Sequence, residues 1–165
     1  MSDVLLASDP TSQQIGGYPD LRDWLRRADE IGQLRRIDGA DWRLEIGALT
    51  EMFCRRAEAQ PCLVFDNIKD YPPGWRVVAN SFGSQQLAAM ALKLPPPGSY
   101  TDLVQAWRAK SKQLQPLPVR QVDDGPILEN VLNGPDVDLY RFPTPLWHEE
   151  DGGRYIGTGS NVITR

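Results

Sequence analysis

The sequence predicts an α/β unit at the N-terminal side, followed by the start of a β-rich second unit. Helical spacing and strand-type runs alternate from Asp20 to about Gln115, the pattern of helices packed on a sheet. Beyond Gln115 the chain turns rich in proline, glycine and aspartate, with short β-type runs between them. The composition, 41% hydrophobic and 24% charged over 165 residues, is that of a globular chain long enough for one small domain and part of another.

The elements follow in order. Residues 1–17 are small and polar without periodicity and read as a loose arm. Leu21, Trp24, Leu25, Ala28 and Ile31 then recur at helical spacing behind Asp20, whose carboxylate can accept from the free N–H groups of a first turn. Gly32 supplies the left-handed residue that ends such a helix. "QLRRID" reads as a short strand, and a second helix is expected from about Arg43 to Glu58, stopped by Pro61. "CLVFDNI" is a compact apolar run, hence a buried strand; "KDYPPG" turns the chain and "WRVVAN" returns it. Ser84 caps a helix carrying Leu87, Met90 and Ala91 that fails at Pro95. Ser99 with Asp102 resembles a capping box opening a last helix, with Tyr100, Leu103, Val104 and Trp107 on one side. The boundaries expected are 1–17 for the arm, 18–115 for the α/β unit and 116–165 for the second unit.

Charge and cysteine usage narrow the function classes. With 18 basic and 22 acidic residues the net charge is −4, and no basic stripe marks a nucleic-acid surface. The paired arginines at 26–27, 35–36 and 55–56 sit among mixed charge and read as solvated helix flanks. Cys54 and Cys62 lack CxxC spacing and a nearby histidine, so both are expected as buried thiols rather than a disulfide or zinc site. No apolar run is long enough for a membrane span, and the N-terminus has no signal-peptide pattern, which points to a soluble cytoplasmic protein.

Few residues carry chemistry on their own. His148, the single histidine, stands beside Glu149, Glu150 and Asp151. Neighbours on an extended chain point in alternating directions, so a role in ordering a surface loop is favoured over a metal centre. Gly157 and Gly159 resemble part of a phosphate cradle, but the β-prone Val162, Ile163 and Thr164 follow where a helix N-terminus is needed. On a strand from Tyr155 to Thr164 the two glycines would leave one face bare, for a packed aromatic side chain or for a flat ligand; packing is the favoured alternative.

Segment order adds a resemblance. "DLRDWLRRADEIGQLRRID" followed by "LEIGALTEMFCRRAEAQPCLVFDNIKDYPPGWRVVANSFGS" resembles the start of the UbiD family, the decarboxylases that use prenylated FMN. "GPILENVLNGPDVDLYRFPTPLWHEEDGGRYIGTGSNVITR" resembles that family's passage into its flavin-binding split β-barrel. The resemblance implies reversible, non-oxidative decarboxylation of an α,β-unsaturated, aromatic or heteroaromatic acid. It also implies prenylated FMN with Mn2+ or Mg2+, often with K+, and a flavin prenyltransferase as cofactor supplier. The implied assembly is a homo-oligomer or a complementary chain.

The same resemblance implies that the metal ligands and the acid network come after the matched region. Neither His148 nor the stretch from Asn161 to Arg165 takes a ligand role by position, and no catalytic residue is expected within these residues. Tyr155, Thr158 and Gly159 are the flavin-proximal candidates. The chain is expected to be the N-terminal portion of a longer enzyme, inactive alone. The alternatives are a non-catalytic short homologue packing against a complementary UbiD-like chain, or an unrelated α/β binding module.

Overall fold

The computed structural model describes residues 18, 20–56, 60–116, 118–119, 121–125, 128–154 and 156–157. Its centre is a three-stranded sheet, β1 (Leu34–Asp38), β2 (Cys62–Asp66) and β3 (Val77–Ala79), in that spatial order. β1 and β2 are parallel, with Leu34 opposite Cys62 and Asp38 opposite Asp66. β3 returns antiparallel, Val64 opposite Val78. The parallel pair requires a crossover, which α2 (Glu45–Cys54) supplies.

β2 is buried on both faces, and its alternation sorts the core into two layers. Cys62 and Val64 pack with Trp24 and Ala28 of α1 (Leu21–Glu30) and Leu87 of α3 (Gln85–Ala91). Leu63 and Phe65 pack on the other side with Ile46 of α2, Ile68 and Ala79. The sheet thus lies between α1 and α3 on one face and α2 on the other. α4 (Tyr100–Ser111) rests on α3 through Leu103 and Ala106 against Ala89 and Leu94. Lys110 Nζ donates to the carbonyls of Leu92 and Lys93, at 2.8 and 3.1 Å, just beyond the end of α3, where free carbonyls favour a cation.

The caps read from sequence are present. Asp20 accepts from the Asp23 amide at 3.0 Å, Ser84 from Leu87 at 3.2 Å and Ser99 from Asp102 at 3.2 Å. Gly32 follows α1 with φ +71°. Trp24 is core, as its helical spacing requires.

Four expectations need correction. α2 begins at Glu45 rather than Arg43, because Leu44 takes a left-handed φ of 67° and its amide leaves the helix to bond the Leu146 carbonyl at 2.9 Å. The helix ends at Cys54 with Arg55 as its C-cap, short of the expected Glu58, while residues 57–59 lie outside the described residues. Cys54 is exposed, since its neighbour Phe53 takes the core-facing position in the last turn of α2, whereas Cys62 is buried at the start of β2. Leu21 and Ile31 stand at the edge of the α1 stripe and remain exposed. Among the described residues of α4 only Leu103 is buried; Tyr100, Val104 and Trp107 are exposed, and the face that packs on α3 is that of Leu103 and Ala106.

The β-type runs of the second unit also take another form. Among the described residues no strand follows β3; Gly134–Asp136 and Leu139–Arg141 form single 3-10 turns. Pro135, which lacks an amide donor, stands at the head of the first. The expected strand from Tyr155 to Thr164 lies, apart from Ile156 and Gly157, outside the described residues.

Candidate functional site

The second unit meets the first at a junction built from backbone and aromatic side chains. Leu146 forms an isolated parallel bridge with Arg43. Its amide donates to the Trp42 carbonyl at 3.1 Å and its carbonyl accepts from the Leu44 amide at 2.9 Å. Pro143 and Pro145 are buried beside it, and Trp147 packs on the core layer of Ile46, Phe65 and Ile68. A Cβ on Gly47 would lie 1.9 Å from the Trp147 carbonyl oxygen. Only glycine lets helix α2 approach this closely.

Arg154 closes the junction. Its guanidinium carbon lies 4.2 Å from the ring centroid of Trp42, 5.6 Å from Tyr71 and 5.4 Å from Tyr140. These are cation–π distances. Nε donates to the Thr144 carbonyl at 2.6 Å, and Nη2 donates to the Phe142 carbonyl at 3.1 Å and to the Tyr71 hydroxyl. That hydroxyl in turn donates to the Tyr140 carbonyl at 3.1 Å. Trp75 meets Phe142 edge-to-face at a centroid distance of 5.6 Å, seating the same segment on the β2–β3 turn.

His148 stands in a turn that its backbone forms with Asp151. Its amide donates to Asp151 Oδ2 at 3.0 Å, the Asp151 amide returns a bond to the His148 carbonyl at 3.2 Å, and Nδ1 stands 3.7 Å from the same carboxylate. The imidazole is exposed. Among the described residues no three His, Cys, Asp or Glu side chains gather as a metal set. Tyr155, Thr158 and Gly159 lie outside the described residues. Ile156 and Gly157 are exposed.

Ionisable groups of the α/β unit are perturbed by ordinary surface pairing. Hydrogen bonding from Lys69 holds the Asp41 carboxyl below its usual value, and Arg26 does the same for Asp23. Burial alone pushes the Cys62 thiol up to about 11, so this sulfur is inert.

Sequence reading missed the junction residues Trp42, Gly47, Tyr71 and Arg154. Arg154 and Tyr71 are 83 positions apart, so no local pattern joins them. An arginine directly after the Gly152–Gly153 turn was the available signal.

A sheet with helices on both faces, joined to a proline-rich segment, defines the class: a small mixed α/β domain. Residues 25–107 match the 3-octaprenyl-4-hydroxybenzoate carboxy-lyase N-terminal domain, and residues 119–165 match the Rift-related domain of the same carboxy-lyase. The chain belongs to this family, UbiD. It is 39% identical over 150 residues to the pyrrole-2-carboxylic acid decarboxylase of Pseudomonas aeruginosa, covering 86% of this chain and 29% of that relative. It is also similar to the vanillic acid decarboxylase of Sedimentibacter hydroxybenzoicus. The closed form gives a TM-score of 0.71 at 29% identity, over 84% of this chain and 29% of that one. An open form gives 0.69 at 30% identity, over 84% and 29%. The 165 residues therefore span under a third of the length of these relatives.

Proposed function

We propose that these residues are the N-terminal portion of a UbiD-type carboxy-lyase that removes CO2 reversibly and without net oxidation from an aromatic, heteroaromatic or α,β-unsaturated acid. The observation that carries the reading is the 39% identity, over 86% of this chain, to a decarboxylase of a heteroaromatic acid. Two consecutive matches to domains of one family support it, as does the likeness to an enzyme acting on an aromatic acid.

In this reading residues 18–115 are the α/β domain, and residues 116–165 link it to a split β-barrel that begins within them. Prenylated FMN, with Mn2+ or Mg2+ and often K+, supplies the electron sink for decarboxylation when bound. A flavin prenyltransferase supplies the cofactor. Tyr155, Thr158 and Gly159 are proposed to lie near it, and the metal ligands and acid network are proposed to lie in sequence beyond Arg165. The described residues contribute scaffold: a rigid sheet and a clasped exit that carries the chain toward the barrel. The assembly proposed is a homo-oligomer in the cytoplasm, or a pair with a complementary chain. Among the described residues no helix is long and apolar enough to cross a membrane.

The test is CO2 release by the natural protein loaded with prenylated FMN and manganese, across pyrrole-2-carboxylate, vanillate and cinnamate. Turnover of at least one acid is expected, with none from the 165-residue chain alone. A loaded natural protein that releases no CO2 from any of them overturns the reading. Activity in the isolated chain overturns the placement of the chemistry beyond Arg165.

A further inference from the structure

We infer that Arg154 is an interdomain clasp, a positioning residue that locks the second family domain onto the first. The ownership of its partners carries this. Arg154 lies within residues 119–165, matched to the second domain, whereas Trp42 and Tyr71 lie within residues 25–107, matched to the first. Its guanidinium face stacks over Trp42 at 4.2 Å, and its fork bonds the Tyr71 hydroxyl and the carbonyls of Phe142 and Thr144. One side chain thereby ties three separate stretches of chain, around 42, 71 and 142–144.

The chemistry suits arginine alone. Stacking on an aromatic face while donating in the ring plane to three acceptors requires a planar, permanently charged fork. A lysine keeps the charge but presents it as a point, and cannot hold these acceptors while lying flat on Trp42. Tyr71 is equally committed, accepting from Arg154 and donating to the Tyr140 carbonyl at 3.1 Å. The clasp adjoins the backbone bridge of Leu44, Trp42 and Leu146, because Trp42 takes part in both. Releasing Arg154 is therefore expected to loosen that bridge without touching the centre of the sheet.

Hydrogen exchange in the natural full-length protein tests this without reference to any activity. In Arg154→Ala the amides of Leu44 and Leu146 are expected to exchange at least tenfold faster, while those of Leu63 to Phe65 in β2 keep their protection. Arg154→Lys is expected to restore less than half of the lost protection on a logarithmic scale. Tyr71→Phe, which keeps the ring and the core, is expected to speed the same two amides at least threefold. It decides the matter if Arg154→Ala does not fold. Unchanged exchange at Leu44 and Leu146 overturns the clasp, as does equal loss of protection in β2, which would make Arg154 an ordinary stability residue. Full rescue by lysine overturns the planar-fork mechanism.

Discussion

β2 and the segment around residues 131–139 each carry four apolar side chains, with opposite fates. In β2, Cys62, Leu63, Val64 and Phe65 are each 1% exposed or less. In the second segment, Val131, Leu132, Val137 and Leu139 keep 49–60% of their surface. A strand projects alternate side chains to two faces, and here each face has a helix layer to meet them. Gly134 and Pro135 break the second segment into 3-10 turns, so its apolar side chains share no face. Hydrophobicity supplies burial energy only where regular geometry lines side chains up against a partner. The segment is held instead at its end, by Leu146, Trp147 and Arg154.

Phe65→Ala gives the contrast its sharpest test. A fully buried ring between the sheet and α2 is expected to cost about 3–5 kcal/mol on truncation, read as a lower denaturant midpoint; a shift below a third of this would mean that the core lies elsewhere. Thiol chemistry probes the same interior. With its pKa near 11 rather than 9.0, Cys62 holds about a hundredfold less thiolate than an ordinary cysteine at pH 8. Iodoacetamide on the native protein should therefore label Cys54 and spare Cys62, and labelling at equal rates would contradict the burial.

Gly47→Ala tests the junction. At an unobstructed helix position alanine gains about 1 kcal/mol over glycine. Here the new methyl meets the Trp147 carbonyl, so a net loss of about 1–3 kcal/mol is expected, with faster exchange at the Leu146 amide. A stabilised variant would show that the segment does not dock there. The smallest effect belongs to Leu132→Ser in the 165-residue chain, expected within about 0.5 kcal/mol of the parent. A larger loss would reveal cover on a side chain that is 49% exposed.

Much of the α/β unit was legible because its signals are local. The caps at Asp20, Ser84 and Ser99 each act across three residues, and the β2 run announces a strand buried on both faces. Burial of Trp24 follows from its place on the α1 stripe. The outward face of α4 was not legible, since an amphipathic stripe shows which face can be buried and not whether a partner arrives. Cys54 failed for a related reason: Phe53 beside it takes the core-facing position, and Cys54 is left exposed.

The candidate site divides differently. The family could be read from segment order. The clasp could not be read, because Trp42, Tyr71 and Arg154 follow no common period and meet only once the sheet has set the β2–β3 turn beside the start of α2.

From sequence alone came the helices, the caps at Asp20, Ser84 and Ser99 and the buried central strand, which depend on side-chain periodicity or short-range hydrogen bonding; the family came from the resemblance of its ordered segments. Tertiary structure alone decided that β1 pairs parallel to β2, that Leu44 accepts a left-handed backbone and that Gly47 admits Trp147. It also decided that Arg154 lies against Trp42. Each is a contact between groups distant in the chain, whose closure entropy is offset only when the whole core forms, so no window of neighbouring residues encodes it.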